Sequence, residues 1–178
     1  MRSMTEKTYI WDGFVRLFHW SLALAFAANA LFTNPEHDLH HWIGYFVLAL
    51  VAARIVWGVI GSRHARFSDF PPSLSAAFDQ AAEMAAWRRR PHHGHSPLGA
   101  LMIYNLLITL IIVGISGYMQ TTLMFFGREW VEELHEVAVT WAEISVVAHI
   151  AAVALESRRL RINLPVSMVT GYKRLPRD

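Results

Sequence analysis

The sequence predicts an all-α fold, a four-helix transmembrane bundle, on three observations. The first is composition. Of 178 residues, 54% are hydrophobic and 17% charged, and the mean hydropathy is +0.28. That is too apolar for an ordinary soluble domain and suits a small polytopic membrane protein. The second is the occurrence of four apolar runs, each long enough to cross a hydrocarbon core as a helix. The third is a lopsided distribution of lysine and arginine along the chain. Cysteine is absent, which excludes disulfides, thiolate metal sites and thioether attachment of a cofactor.

Residues 1–12 are polar and end in Tyr9-Ile10-Trp11-Asp12, after which Gly13 opens the first span, about 14–32. Arg16 reaches its interface by snorkelling. A cleavable signal peptide is the competing reading of this run, because Ala28-Asn29-Ala30 resembles a cleavage site. Against it, Trp11, Phe14, Phe18 and Trp20 crowd the place where a simple basic segment belongs. A polar turn with Pro35, Glu36 and Asp38 leads to the second span, about 41–60. The third runs over about 97–119 and the fourth over about 131–155. All belong to a single membrane domain covering residues 1–178. Within the connecting loop 61–96, Ser73 to Arg90 has the pattern of an amphipathic helix lying on the membrane surface. The basic tail 156–178 reads as a surface helix or an extended arm. No internal repeat or low-complexity tract is visible.

Of the 16 lysines and arginines, 14 lie in the N-terminal segment through Arg16, the 61–96 loop and the tail. Arg54 lies inside a span, and Arg128 sits in a short loop on the opposite side. The positive-inside rule therefore places both termini and the long loop in the cytoplasm of a bacterial inner membrane. The outer side carries Glu36, Asp38, Glu129, Glu132, Glu133 and Glu136.

The fourth span holds His135 and His149, fourteen residues apart, in an apolar background of Val137, Ala138, Val139, Ala142, Ile144, Val146 and Val147. Fourteen residues make roughly four helical turns and about 21 Å of rise, so both imidazoles share a face at two depths. Two depths on one helix suit two haems stacked across the membrane, each needing a second axial histidine from another helix. Depth supplies the partners. His19, early in the first span, matches His149 on the inner side. His40 or His41, opening the second span, matches His135 on the outer side. Gly44, Arg54 and Gly58 lie on roughly the same face of the second helix as His40, with His41 about 100° off it; this selects His40. Glycine at two depths lets a porphyrin approach the backbone, and a propionate of the inner haem would partner Arg54, which is ionised within the membrane. Gly99 and Gly117 have similar spacing in the third span, where helix packing explains them equally well.

Several segments together resemble the bacterial cytochrome b561 family. They are Trp11-Asp12, Arg16-Leu17-Phe18-His19-Trp20, His40-His41-Trp42-Ile43-Gly44-Tyr45, Arg54-Ile55-Val56-Trp57-Gly58, and the run from Gly61 to Phe67. Gly94-His95-Ser96-Pro97-Leu98-Gly99-Ala100, Leu134-His135-Glu136 and Val169-Thr170-Gly171-Tyr172-Lys173 extend the likeness over nearly the whole chain. The similarity is greatest to the branch that contains b-type subunits of nickel–iron hydrogenases. It implies four-helix membrane proteins with two bis-histidine b haems that exchange electrons with quinone, and by motif it assigns the iron ligands to His19, His40, His135 and His149. Position 41 carries a second histidine where an apolar residue is more usual in the family.

The expected activity is electron transfer between a membrane quinone and a redox partner, because two axial histidines leave the iron no open position. The acidic outer face suits a lysine-rich partner such as a soluble c-type cytochrome, with a hydrogenase as the other candidate. A superoxide:quinone oxidoreductase is the enzyme alternative, although an acidic face repels that anion. A non-redox haem-binding membrane anchor is a third reading. Arg63, His64 and Arg66 read as snorkelling residues and propionate partners rather than parts of a quinone pocket. His37, His92, His93 and His95 read as solvated loop residues.

Overall fold

The computed structural model describes residues 5–35, 37–88, 90–92 and 94–176. In chain order, a strand β1 (Thr5–Tyr9) precedes α1 (Gly13–Phe32) and α2 (Asp38–Ile60). Two short 3-10 turns, Arg63–Ala65 and Phe67–Asp69, follow, then α3 (Leu74–Ala85), α4 (Pro97–Gln120) and α5 (Glu129–Leu160). The chain ends in α6 (Leu164–Thr170) and β2 (Tyr172–Pro176). Among the described residues α1, α2, α4 and α5 are long and apolar enough to cross a membrane. In hydrocarbon each must satisfy its own backbone, which a helix does. The fold is thus a helical membrane bundle.

Local chemistry sets the helix starts. Asp12 accepts the Val15 N–H at 2.8 Å, Ser96 accepts that of Gly99 at 3.2 Å ahead of Pro97, and Asn163 accepts that of Val166 at 3.0 Å. Each uses a side-chain oxygen to satisfy a donor that has no partner inside its own helix. α5 runs five residues past the expected 155. The added turn is held by Glu156 and Arg159, paired at 2.6 Å with the guanidinium fully buried, and it stops at Arg161 in the left-handed region.

α1 packs on α2, α2 on α4, and α4 on α5, while α5 makes few close backbone approaches to the α1–α2 pair. A central cluster of Val47, Val51, Leu107 and Leu110 joins α2 to α4. Between α4 and α5, Asn105 donates to Ser145 at 2.9 Å and accepts from the Trp141 indole at 3.0 Å. Such polar contacts register two helices inside a membrane, where apolar burial alone does not discriminate.

The tail, expected as a surface helix or an extended arm, forms α6 and then the strand β2. β2 pairs antiparallel with β1, Thr5 opposite Pro176 and Tyr9 opposite Tyr172. Gly171, at φ +86°, lets its carbonyl accept from the Ile10 and Trp11 amides at 2.9 and 3.1 Å; a Cβ there would press on the Trp11 carbonyl. Arg16 donates to the Val169 carbonyl at 2.9 Å and Trp20 to that of Met168 at 3.4 Å, so Arg16 is tied to α6 rather than free to snorkel.

The 61–96 connection is equally tied down. α3 is shorter than expected, ending at Ala85, and turns its Ala77–Gln80 side to the bundle while Leu74 and Phe78 stay exposed. Gln80 accepts the Leu98 N–H at 2.9 Å, helping to cap α4. The reading of His95 as a solvated residue is corrected: its ring lies 4.7 Å from Trp11 and 4.2 Å from Phe70, with Nδ1 sealed from water. Burial, reinforced by Arg54 and Lys173, holds its pKa down to about 3. His92 is likewise half-buried, because its carbonyl accepts from Lys173 Nζ at 2.6 Å. His93 and Glu36 lie outside the described residues, and His37 is exposed.

Lys173 is 5% exposed, and burial pushes its ammonium down to about 8 from the ordinary 10.5. Between those values the unfolded chain binds more protons than the folded one, so stability rises with pH across the window and is lost as pH falls towards 8. Thermal melts in detergent should show the native chain gaining on Lys173→Met by at most about 1.4 kcal/mol per pH unit in that range. Parallel curves would mean that the ammonium is solvated.

Candidate functional site

Of the four histidines proposed from depth, His19 and His149 lie ring beside ring, and His40 and His135 line one shared cavity. At the end nearer the termini, His19 of α1 and His149 of α5 have ring centroids 6.4 Å apart and planes inclined by 55°. A metal bound between two imidazoles by bonds of about 2 Å on each side sets the rings roughly 6 Å apart. The pair therefore has the spacing of two axial ligands on one iron. His19 Nδ1 is buried without a partner.

At the other end, His40 of α2 and His135 of α5 line one apolar cavity with His41, Gly44, Val113, Gly114, Gly117 and Val139. His135 Nδ1 lies 3.0 Å from the Val113 carbonyl and 3.1 Å from Ser116 Oγ. A carbonyl only accepts, so Nδ1 carries the proton and Nε2 keeps its lone pair. His40 Nδ1 is 3.1 Å from Thr33 Oγ1, whose own proton goes to Asn29 at 2.6 Å, and the same assignment follows. Ligating histidines use such outer bonds to fix the ring and raise its basicity. His41 also lines the cavity, its ring 6.1 Å from that of His40.

Gly44 opens on space, with nothing within 4 Å of a Cβ built there, and a Cβ on Gly117 would stand 3.0 Å from His135 Cε1. These two glycines leave a flat group room between the rings. Gly58 has a different role from the one expected, since a Cβ there would overlap the Phe67 ring. That ring fills the space a porphyrin was expected to use. Gly99 lies in the first turn of α4, where its nearest neighbour is Ser96 Oγ.

Arg54 is 3% exposed. One Nη donates to the Ala65 carbonyl at 3.0 Å and the guanidinium lies 5.1 Å over the Phe67 ring, while Nη1 has no partner. His64 and Arg63 both lean on Asp69, at 3.0 and 3.7 Å. Asp12 accepts from Trp57 at 3.1 Å and from Ser62, besides capping α1. Burial pushes its carboxyl up, but the bonds from Ser62, Val15 and Trp57 outweigh that and hold it below its usual value. On the opposite face Asp38, Glu129, Glu132, Glu133 and Glu136 are all exposed.

Two imidazoles at each end suit an iron whose other four ligands come from a macrocycle. The supports in Thr33 and Ser116 were missed in the sequence. The available signal was a hydroxyl inside or bordering an apolar span and near a histidine in space; the Val113 carbonyl leaves no signal at all.

Residues 10–171 match the model of the family described as prokaryotic cytochrome b561. The chain is 25% identical, over an alignment of 213 positions, to a protein of Cupriavidus necator named as a probable Ni/Fe-hydrogenase B-type cytochrome subunit. That alignment covers 94% of this chain and 87% of the relative. No solved structure matches the chain.

The two glycines of α2 should part ways on substitution. Gly58→Ala forces the Phe67 ring aside and should lower stability by about 1–3 kcal/mol, read as an earlier thermal transition. In haem-free protein Gly44→Ala has room and should leave the transition in place or raise it slightly, as alanine is the better helix former. Equal shifts would contradict the packing difference.

Proposed function

The chain belongs to the prokaryotic cytochrome b561 family, and we propose that it carries electrons across the bacterial cytoplasmic membrane through two b haems. His19 and His149 hold the inner haem, and His40 and His135 the outer one. The observation that carries this reading is the 6.4 Å separation of the His19 and His149 rings, on helices whose backbones stay apart. The outer cavity, with both Nδ1 atoms engaged, supports the second site.

Held by these histidine pairs, each haem would supply one-electron chemistry. The protein fixes the tautomers of His40 and His135, clears space at Gly44 and Gly117, and excludes water with the apolar walls of the bundle. Along α5 the two ligands stand about 21 Å apart by helix rise. Both termini face the cytoplasm, following the basic loop and tail. Membrane quinone is the electron-exchanging substrate. On the outer face, Asp38 and the four glutamates at the start of α5 form a rim that suits a basic redox partner. The partner is a hydrogenase, in keeping with the name of the Cupriavidus relative, or a c-type cytochrome. The same acidic rim disfavours the superoxide alternative, which needs a field that attracts anions.

Haem quantified per chain, with a redox titration of the purified protein, tests the reading. Two low-spin b haems are expected, one lost in His19→Ala or His149→Ala and the other in His40→Ala or His135→Ala. The Nδ1 bonds make His40 and His135 stronger donors to oxidised iron, and Arg54 places a cation at the inner end. The haem lost in His19→Ala should therefore have the higher midpoint. One haem per chain, or none, would overturn the two-site arrangement.

A further inference from the structure

At the terminal end of the bundle a cation is buried without a counter-ion. Arg54 is 3% exposed, and its Nη1 has no partner. His95 adds a sealed, unpartnered Nδ1 on the same side, close enough to Arg54 for the two to repel. Lys173 also faces this corner, but its ammonium is spent on the His92 and Gly94 carbonyls. The carboxylates that feel these groups are engaged elsewhere: Asp69 with His64 and Arg63, and Asp12 with Val15, Trp57 and Ser62. An unbalanced buried guanidinium is expensive, and so is a sealed ring nitrogen without a partner.

Position says what would balance them. Arg54 donates to the Ala65 carbonyl, and Ala65 packs with Val15, one turn of α1 before His19. The His95 ring lies 4.7 Å from that of Trp11, which precedes α1 and so lies on the terminal side of His19. The two unsatisfied groups are thus tied to residues on the terminal side of His19. The polar edge of a tetrapyrrole held at His19 must point that way, because carboxylates avoid hydrocarbon.

We propose that Arg54 and His95 together form a receptor for a carboxylate, and that a propionate of the inner haem occupies it. This rests on the reading of His19 and His149 as axial ligands and adds His95 to the residues that grip the cofactor. Arg54 Nη1 donates a charge-assisted hydrogen bond to the carboxylate, and His95 Nδ1 supplies a neutral one. Trp11 and Phe70 hold the His95 ring in place from both sides.

The test uses purified protein with its haem. Transfer to an excess of a scavenging apo-globin and a redox titration are measured for Arg54→Gln, Arg54→Lys and His95→Phe, the last preserving the aromatic packing. Arg54→Gln should speed loss of the inner haem about tenfold or more and lower its midpoint, with Arg54→Lys restoring part of both. His95→Phe should speed that loss several-fold, and the haem lost in His135→Ala should be unaffected throughout. Apoprotein reloaded with haem dimethyl ester, which has no free carboxylate, distinguishes the source. With the ester, native and Arg54→Gln proteins should release the inner haem at the same rate. Overturning results are a persisting difference with the ester, which assigns the carboxylate to another molecule, or an inner haem indifferent to both Arg54→Gln and His95→Phe. Fewer than two haems in the native protein would instead overturn the dihaem reading itself.

Discussion

The rest of the bundle depends on the continuity of α5. An unbroken helix of 32 residues repeats its face every three to four residues, so His135 and His149 point the same way at two depths. For those faces to be useful, α5 must stand off from α1 and α2 while remaining fixed. α4 provides the fixing: it packs along α5, registers it through Asn105, Ser145 and Trp141, and offers the Val113 carbonyl to His135. The gap left on the other side is where all four imidazoles meet. A bundle packed tightly on every side would bury more apolar surface and hold no flat cofactor.

The two ends of that gap are built differently. At the acidic end each imidazole has its Nδ1 bonded, by Thr33 or by Val113 with Ser116. The rings are set before anything binds, and small residues at Gly44, Gly114 and Gly117 keep the cleft open. At the basic end His19 Nδ1 has no partner, and neither do Arg54 Nη1 and His95 Nδ1 on the terminal side. One end thus fixes its imidazoles by hydrogen bonds, and the other leaves polar groups unpaired around them. On the proposed reading, such a difference would separate two otherwise similar haem sites in redox potential without changing the ligand type.

The terminal end is also where the chain ties itself together. β1, β2 and α6 bring the first and last described segments onto the start of α1, and Lys173 and Arg159 reach back to carbonyls at His92 and Arg88. Each link satisfies backbone oxygens in a loop that leaves the membrane, a need that grows as burial grows. The result is a floor on the terminal side of His19, assembled from segments more than seventy residues apart.

The sequence by itself determined the spans and their helical form, and it suggested the depth pairing of His19 with His149 and of His40 with His135. Those follow from apolar length and from a 3.6-residue period, which are properties of one helix at a time. It also marked Gly44 and Arg54 as belonging to the His40 face. Only the tertiary structure decided that Phe67 fills the space at Gly58, that His95 is packed and not solvated, that Asp69 engages His64 and Arg63, and that the termini pair as strands. The Asp69 contacts are local to one loop, whereas the others depend on which segments meet in space, and a residue's polarity carries no record of its neighbour there. A loop histidine such as His95 reads as solvated until Trp11 and Phe70, at distant positions in the chain, are seen to close over it.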